Sequence, residues 1–344
     1  MRAIALVSGG LDSILAARVI KEQGVDILPV HFEIPFCHRK KQTAPDKGVH
    51  ALVNRGLAEE LRVVDINVDF LELVLRPKHG FGSNMNPCID CKIFMLKKAK
   101  ALMKAWDAQF VVTGEVLGQR PMSQHRRALE IIEKESGLEG LLLRPLCAGI
   151  LPETLPEKSL WVNRSKLFNF SGRSRRPQME LARELGIDKY PNPAGGCLLT
   201  DTQFSCRLRD LINHQALNMG NVRLLKLGRH FRLDAHSKLI VGRNEQENEE
   251  LEAEAYAGDY LFMPDKTLAG PTCLGKGIFD RELMQISSQI AGRYCDSNGA
   301  KSVKIICYNK GDGQIITSEG DSGGYPCSFE VIPMGEDKLK ALRL

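Results

Sequence analysis

A glycine-rich turn near the start of the chain constrains the fold more than any other feature. The segment Ser8-Gly9-Gly10-Leu11-Asp12-Ser13 directly follows the apolar run 3–7 and directly precedes a helical pattern. A strand, a glycine turn and a helix in this order form a phosphate cradle, because glycines allow close backbone approach and the helix start presents unpaired N–H groups. We predict that Ser8 and Ser13 add hydroxyl donors and that Asp12 holds Mg²⁺ on the phosphates.

This motif differs from the phosphate loop of kinases and most ATPases, which has the form G-x-x-x-x-G-K-[ST]. The nearest approach to that form, at 270–277, lacks the final hydroxyl and is interpreted as a loop. The N-terminal turn therefore predicts another class of nucleotide chemistry. For Asp12 the alternative role is a cap of the first helix.

The pattern over residues 1–200 predicts an α/β domain built on a doubly wound parallel sheet. Short apolar runs alternate there with helical patterns. The strand candidates are 3–7, 27–32, 62–66, 110–113 and 141–146. Ligands bind such sheets at the carboxyl ends of the strands. His31, Phe32, Thr113 and Gly114 are therefore predicted to line the same crevice as the glycine turn.

A second, smaller α+β domain is predicted over residues 221–344, after a helical bridge at 201–220. The bridge helix is expected at Phe204–Leu217. Residues 223–243 read as a hairpin that turns at 234–237, and Asn244 with Glu247 is predicted to cap the next helix. Further strands are expected near Tyr260, Val303 and Ile315.

Composition narrows the class of protein. No apolar stretch approaches the roughly 20 residues of a membrane-spanning helix, and the start lacks the pattern of a signal peptide. We expect a cytoplasmic protein without a membrane partner. The net charge of +5 permits a nucleic-acid partner without requiring one. Ten cysteines in such a chain indicate reduced thiols, metal ligands or catalysts rather than disulfides.

Three of the cysteines stand out by their context. Cys88-x-x-Cys91 lies at a predicted helix start, a position that suits metal ligation or thiol chemistry. No second C-x-x-C exists, and the best third candidate is Cys197, directly after two glycines. Three thiolates leave one coordination position open, as a reactive cluster requires. The alternatives are a three-cysteine zinc site or a C-x-x-C that only packs. Buried structural thiols are predicted at Cys37, Cys147, Cys206, Cys273, Cys295, Cys307 and Cys327.

The motifs together resemble the tRNA thiolation branch of the PP-loop superfamily of N-type ATP pyrophosphatases, specifically the adenylating domain of 4-thiouridine synthetase (ThiI). The resemblance covers about residues 1–200. It rests on the glycine turn, on Asn86–Lys92 and on 113–119 leading to Ser123-Gln124, while 195–200 looks like the third cysteine element of cluster-bearing members. It implies ATP binding by Ser8, Gly9, Gly10, Leu11, Asp12, Ser13, His31, Phe32, Thr113, Gly114 and Gln119, with Ser123 and Gln124 as further candidates.

The resemblance also implies a reaction. The uridine carbonyl oxygen attacks the α-phosphate of MgATP and pyrophosphate leaves, with Asp12 as a catalytic residue. Cys88, Cys91 and Cys197 then act as catalytic residues that hold a 4Fe-4S cluster for sulfur transfer. The competing mechanism is a persulfide, most simply on Cys197, resolved by Cys88 or Cys91. Relatives of the 2-thiouridylase (MnmA) type usually carry Asp-x-x-Cys at the C-x-x-C position, so Cys88 favours the cluster. The favoured product is 4-thiouridine.

Two departures from the family bear on partners. Full-length 4-thiouridine synthetases begin with ferredoxin-like and THUMP regions that grip tRNA, and this sequence begins at the PP-loop. We also find no rhodanese-like domain to carry sulfur. We therefore expect that another element holds the tRNA, that sulfide or a donor such as a cysteine desulfurase supplies sulfur, and that a homodimer on one tRNA is compatible with the sequence.

The RNA contacts are expected from basic clusters. They lie at Arg120–Arg127, Arg164–Arg176 and Arg223–Arg232, the second interleaved with aromatic residues. Residues 226–230 and 241–244 also look like the RNA-binding module of the NFACT type. The predicted RNA contacts are Arg120, Arg126, Arg127, Arg173, Arg229 and Arg232. For each cluster the alternative is a solvated surface.

Two other function classes stay open at this point. One is a different PP-loop ligase, which would form an amide from an adenylated carboxylate and would need neither tRNA nor Cys197. The other is a non-catalytic RNA-binding or sulfur-handling protein, which would bind tRNA without releasing pyrophosphate.

Overall fold

A computed structural model describes residues 1–36, 60–187, 190, 197–297, 299–311 and 327–344. The chain divides into two units, Met1–Asp201 and Thr202–Leu344. The expectations for Cys37, for the two glycines before Cys197 and for a strand near Ile315 fall outside the described residues. Each unit is described by itself below.

The first unit is built on a parallel sheet, as predicted. Its described strands are β1 (Arg2–Leu6), β2 (Asp26–Glu33), β3 (Arg62–Asp65), β4 (Phe110–Val112) and β5 (Leu142–Leu143). They lie in the order β3-β2-β1-β4-β5, and every pairing is parallel. All five strand candidates are confirmed, because apolar runs between helical patterns mark buried parallel strands.

The helices of the first unit join these strands. The described α-helices are α1 (Leu11–Lys21), α2 (Asn67–Leu75), α3 (Cys88–Ala105), α4 (Arg126–Ser136), α5 (Leu155–Lys158) and α6 (Arg176–Glu184), with 3₁₀ turns at Ala148–Ile150, Arg164–Lys166 and Leu198–Thr200. Helix α1 is the central packing element, since Leu11, Leu15 and Ile20 are fully buried. Its start is therefore fixed by the hydrophobic core beneath it.

The strand order places the glycine turn at a switch point of the sheet. The chain runs from β1 outward through β2 and β3, and then returns to place β4 on the other side of β1. Crevices form outside the carboxyl ends of the strands at such a reversal. The turn after β1 and the segment after β4 meet there.

The second unit contains an antiparallel sheet. Within the described residues its strands are β6 (Arg229–Arg232), β7 (Lys238–Val241), β8 (Tyr260–Pro264), β9 (Cys273–Lys276), β10 (Val303–Asn309) and β11 (Cys327–Val331), in the order β11-β10-β8-β9-β7-β6. The described helices are α7 (Thr202–Asn213), α8 (Met219–Leu224), α9 (Glu245–Ala253), α10 (Arg281–Gly292) and α11 (Glu336–Leu342).

Two local interpretations in this unit are wrong. Residues 223–228 do not belong to the hairpin, because 223 and 224 end helix α8 and β6 begins only at Arg229. Asn218 caps this helix by accepting a hydrogen bond from the Asn221 backbone N–H at 2.9 Å. The stretch 270–277 is not a loop, since it contains the buried strand β9 between β7 and β8.

Other local predictions in this unit are confirmed. Strands β6 and β7 form the hairpin with a turn at 234–237, and Asn244 caps α9 by accepting from the Glu247 backbone N–H at 2.9 Å. The helix expected around Phe204 is α7. Gly228, directly before β6, has φ +61° and faces the Val241 carbonyl so closely that a Cβ would clash, which explains a glycine at this turn.

Candidate nucleotide and thiol site

The glycine turn is closed by its own serines. Gly9 has φ +80°, and Gly10 is the N-cap of α1 without a side-chain cap. The Ser13 hydroxyl donates to the Gly10 carbonyl at 2.8 Å and accepts from the Ser8 backbone N–H at 3.2 Å. The Ser8 and Ser13 hydroxyl oxygens lie 3.3 Å apart. The two serines therefore hold the turn in shape, and the Leu11 side chain is buried in the core, so that its backbone alone faces the turn.

Gly114 explains how the segment after β4 meets this turn. A Cβ on Gly114 would lie 2.5 Å from the Asp12 carbonyl carbon, the Asp12 oxygen and the Ser13 nitrogen. These are backbone atoms of the first helical turn, which cannot move aside as a flexible side chain can. The close approach of the two segments therefore requires glycine at this position.

Asp12 is held by one of its two carboxylate oxygens. Gln119 Nε2 donates to Asp12 Oδ2 at 2.6 Å, and Arg175 Nη1 donates to the same oxygen at 3.1 Å. Within the described part of the chain no hydrogen-bond donor reaches the buried Oδ1. Asp12 is therefore oriented from one side, and its other oxygen has the chemistry of a cation ligand. This arrangement fits Mg²⁺, which binds proteins through one or two carboxylates together with substrate phosphates.

The remaining predicted nucleotide residues lie at the strand ends of this crevice. His31 is buried, and its Nδ1 donates to the Val7 carbonyl at 2.8 Å, which ties β2 to the turn after β1. Phe32 is buried as well. The Thr113 hydroxyl donates to Glu115 Oε2 at 3.2 Å. His31 therefore holds the backbone that follows β1, and Thr113 orients the Glu115 carboxylate.

A buried ion pair beneath the site was not predicted from the sequence. Glu115 is 2% exposed, and Arg144 Nε donates to its Oε2 at 3.1 Å, while Arg144 Nη1 donates to Glu133 Oε2 at 2.8 Å. Burial alone would raise the pKa of Glu115, but the positive charges of Lys92 and Arg144 outweigh it and hold the pKa below its ordinary value. Lys92 directly follows Cys91, so this carboxylate is electrostatically coupled to the start of α3.

The predicted thiols lie near the start of α3. The Cys88 thiol donates to the Ser123 hydroxyl at 3.0 Å. Cys197 begins the 3₁₀ turn 198–200, whose carbonyls accept from the segment before α3: Met85 N–H donates to Leu199 O at 3.1 Å, and Asn84 Nδ2 donates to Thr200 O at 2.8 Å. The structure thus brings the chain around Cys197 to the segment that leads into Cys88. Cys88, Cys91 and Cys197 are all half-buried.

The thiols as placed do not form a metal site. Among the residues that the structure describes, no three His, Cys, Asp or Glu side chains are gathered closely enough to hold a metal ion. Three cysteines have the donor chemistry of an iron-sulfur cluster.

Six of the other cysteines can be compared with their prediction. Cys147, Cys273 and Cys307 are buried, and burial raises the pKa of Cys147 to about 11. Cys295 and Cys327 are half-buried. Cys206 is exposed, so its prediction as a buried thiol is wrong, because it lies on the solvent side of α7.

The predicted RNA contacts differ in their surroundings. Arg120, Arg126, Arg127 and Arg173 are exposed. In the second unit, Arg229 stacks on the Tyr294 ring at 4.5 Å from its centroid. Arg232 donates two hydrogen bonds, at 2.8 and 2.6 Å, to the two oxygens of Asp210. Arg232 is thus engaged inside its own unit, and RNA contact there stays a prediction.

Two residues of the Asp12 network were not predicted as part of the site. Arg175 was noted only as a member of a basic cluster. Gln178, on α6, is fully buried, and its Nε2 donates to Gln119 Oε1 at 2.8 Å. A single buried glutamine carries no recognisable sequence signal. The spacing of Arg175 from α1 gives no hint of the ion pair either.

Comparison with known families agrees with the resemblance drawn from the motifs. Residues 1–150 match the family model described as "Thiamine biosynthesis protein (ThiI)", and residues 228–319 match "NFACT protein RNA binding domain". The resemblance of residues 1–150 to the ThiI family and of residues 228–319 to the NFACT module is thereby confirmed.

Curated relatives match parts of the chain. The "Probable tRNA sulfurtransferase" of Thermococcus kodakarensis is 28% identical over 145 residues, which cover 42% of this chain and 36% of that protein. The "tRNA-specific 2-thiouridylase MnmA" of Pelobacter propionicus is 32% identical over 100 residues, covering 28% of this chain and 27% of that protein. The matched stretches therefore cover at most 36% of the length of these two relatives.

Two solved structures are also similar. A "4-thiouridine synthetase - RNA complex with bound ATP" has 21% identity and a TM-score of 0.37, covering 64% of this chain and 52% of that chain. The "U34-tRNA thiolase NcsA from Methanococcus maripaludis with its [4Fe-4S] cluster" has 17% identity and a TM-score of 0.34, covering 66% of this chain and 73% of that chain.

In the described part of this chain, no helix has the length and apolar character needed to cross a membrane.

Proposed function

We propose that this chain is an ATP-dependent tRNA sulfurtransferase that thiolates a uridine. One observation carries the proposal. The segment Gln119–Ser123 bonds Asp12 at one end, through Gln119, and the Cys88 thiol at the other, through Ser123. Five residues span at most about 14 Å between their terminal Cα atoms. A carboxylate suited to MgATP and a thiol suited to sulfur chemistry are thus held by one short stretch of chain.

The first step activates the uridine. Its carbonyl oxygen is a poor leaving group, so sulfur cannot displace it directly at a useful rate. Attack of that oxygen on the ATP α-phosphate forms an adenylate and releases pyrophosphate. The backbone of Ser8–Ser13 and the dipole of α1 stabilise the departing charge. When bound, Mg²⁺ supplies charge neutralisation on the phosphates, with Asp12 as its protein ligand.

Residues at the carboxyl ends of two further strands are also proposed to contact the nucleotide. We propose that His31, Phe32, Thr113 and Gly114 border the bound ATP, because they stand at the carboxyl ends of β2 and β4 beside the turn. Gln119 acts on the nucleotide through Asp12, to which it donates.

The second step replaces AMP by sulfur. We propose that Cys88, Cys91 and Cys197 are the residues that deliver it, since Cys88 lies next to Ser123 and the chain around Cys197 bonds to the segment before α3. A 4Fe-4S cluster is the carrier that the family resemblance favours, and a persulfide on Cys197 is the other carrier. Sulfur is proposed to enter at C4. Sulfide can supply a cluster, whereas a persulfide on Cys197 takes its outer sulfur from the persulfide of a cytoplasmic donor such as a cysteine desulfurase, which is left as a thiol.

The substrate is proposed to be tRNA. The match of residues 228–319 to an RNA-binding family supports this, together with the names of the relatives. Arg120, Arg126 and Arg127 are exposed close in sequence to Ser123 and are proposed to contact phosphates. A homodimer that holds one tRNA is compatible with this proposal.

The experiment is mass spectrometry of nucleosides from unmodified tRNA, incubated anaerobically with reconstituted protein, MgATP and sulfide. The wild type is compared with Asp12→Ala and Cys197→Ala, and Cys206→Ala is the matched control because its thiol is exposed and belongs to α7 of the second unit. We expect thiouridine from the wild type and the control only, and its chromatographic retention against 4-thiouridine and 2-thiouridine standards, which have the same mass, identifies C4 or C2. Thiouridine from Cys197→Ala would contradict the role of that residue.

The same preparations decide the sulfur carrier and the function class. A brown protein with thiolate-to-iron absorption that disappears in Cys88→Ala supports a cluster. A colourless protein that is active only when a cysteine desulfurase and cysteine replace sulfide, and that then carries one extra sulfur atom, supports a persulfide. Absence of thiouridine, with pyrophosphate released in the presence of a carboxylate and ammonia, would instead indicate an amide-forming ligase.

A further inference from the structure

A buried glutamine reaches Asp12 from a helix outside the nucleotide motif. Gln178 on α6 is fully buried, and its Nε2 donates to Gln119 Oε1 at 2.8 Å. Gln119 in turn donates from Nε2 to Asp12 Oδ2 at 2.6 Å. A primary amide has its oxygen and its NH₂ on opposite sides. By donating to the oxygen, Gln178 sets which end of the Gln119 amide faces the carboxylate.

Arg175 completes the grip on the same oxygen. Its Nη1 lies 3.1 Å from Asp12 Oδ2, and the two side chains are 19% and 15% exposed. Both donors therefore act on Oδ2. Across the described residues, the buried Oδ1 receives no hydrogen bond. The carboxylate is fixed in rotation while one of its oxygens keeps its lone pairs.

Resting on the nucleotide chemistry proposed above, we infer that Gln178, Gln119 and Arg175 are positioning residues that present Asp12 Oδ1 to the Mg²⁺ of MgATP. Outer partners that orient a metal-ligating side chain typically change metal affinity by about 10- to 100-fold. Arg175 bonds directly to Asp12, the proposed metal ligand, whereas Gln178 acts on Asp12 through Gln119. Neither residue needs to contact the nucleotide.

A merely structural network predicts a different result. If these residues only satisfy a buried carboxylate, their loss weakens the fold of the unit and lowers ATP affinity equally with and without Mg²⁺. If they orient Asp12 for the metal, their loss reduces only the part of the ATP affinity that depends on Mg²⁺. The two roles therefore separate in a binding measurement that needs no turnover.

The test is calorimetric titration of ATP into the full chain without tRNA, with saturating Mg²⁺ and with EDTA. Gln178→Met removes the donor at similar side-chain volume. We expect it to lower the Mg²⁺-dependent gain in ATP affinity about 10-fold and to leave the affinity in EDTA unchanged. Arg175→Met provides a second variant at the exposed end of the network, and Arg176→Met is its matched control because Arg176 is 85% exposed and pairs with Glu180.

A double-mutant cycle tests the path through Asp12. In an Asp12→Asn background the Mg²⁺-dependent gain is expected to be lost, and adding Gln178→Met or Arg175→Met is expected to change nothing further. An added loss in that background would overturn the inference. Equal losses of affinity in Mg²⁺ and in EDTA would also overturn it.

The two proposals fail in distinguishable ways. A wild type that binds MgATP, together with Gln178→Met and Arg175→Met variants that bind it equally well, refutes the positioning role alone. A wild type that binds no ATP refutes the nucleotide chemistry and the inference with it.

Discussion

Gly114→Ala is expected to destabilise the first unit, because the new Cβ would meet backbone rather than side chain. It would lie 2.5 Å from three backbone atoms of Asp12 and Ser13, whereas carbon contacts are ordinarily about 3.5–4.0 Å. One of the two segments must move by about 1 Å, and overpacking of this kind costs about 1–3 kcal/mol. Gly10→Ala is the matched control, since its Cβ would find only Ser8 Oγ, at 3.5 Å.

Tryptophan fluorescence during urea unfolding measures this effect selectively. The chain has two tryptophans, and Trp106 and Trp161 both lie in the first unit. With a urea dependence of about 2 kcal/mol per molar, a loss of 2 kcal/mol moves the midpoint by about 1 M. For Gly10→Ala we expect a loss of less than about 1 kcal/mol.

ATP affinity provides the second readout of the pair. Gly10→Ala is expected to weaken ATP binding without unfolding the unit, because the glycine turn is proposed to admit phosphate close to the backbone. An unchanged unfolding midpoint in Gly114→Ala would refute the packing argument. Undiminished ATP affinity in Gly10→Ala would refute the cradle.

Three further predictions concern buried charges. Arg144→Met is expected to lower the free energy of unfolding of the first unit by about 3–5 kcal/mol, because the buried Glu115 would lose its main partner. A decrease below about 1 kcal/mol, measured by tryptophan fluorescence during urea unfolding, would contradict this. Arg232→Ala breaks two hydrogen bonds to Asp210 and is expected to cost the second unit about 2–3 kcal/mol by calorimetry, so tRNA affinity must be compared on folded protein. Burial lowers the pKa of Lys238 from 10.5 to about 8 in the folded protein. Between pH 8 and pH 10.5 the unfolded chain therefore binds more protons than the folded one. The free energy of unfolding should rise with pH in this range, by up to about 1.4 kcal/mol per pH unit. Lys238→Met should lose that slope between pH 8 and 9.5, and equal slopes would refute the assignment.

The local features of this chain follow from its sequence. Each strand described in the first unit was predicted, because an apolar run between helical patterns can be recognised within one short window. The glycine turn and the Asn244 cap depend on residues only a few positions apart, so they too could be predicted. The error at residues 223–228 arose because the leucines at 224, 225 and 227 lie in a short window that suits both a strand and a helix.

The contacts that orient the site depend on tertiary structure. Arg175 and Asp12 are 163 positions apart, and Gln178 and Gln119 are 59 apart. Whether their side chains meet depends on how α6 packs beside α1, and no local pattern encodes that. Cys206 shows the same dependence, since only the packing of α7 decides which of its faces is exposed. The sequence by itself determined the strands of the first unit, the glycine turn and the candidate thiols. The packing of distant helices decided which polar groups hold Asp12 and which charges are buried.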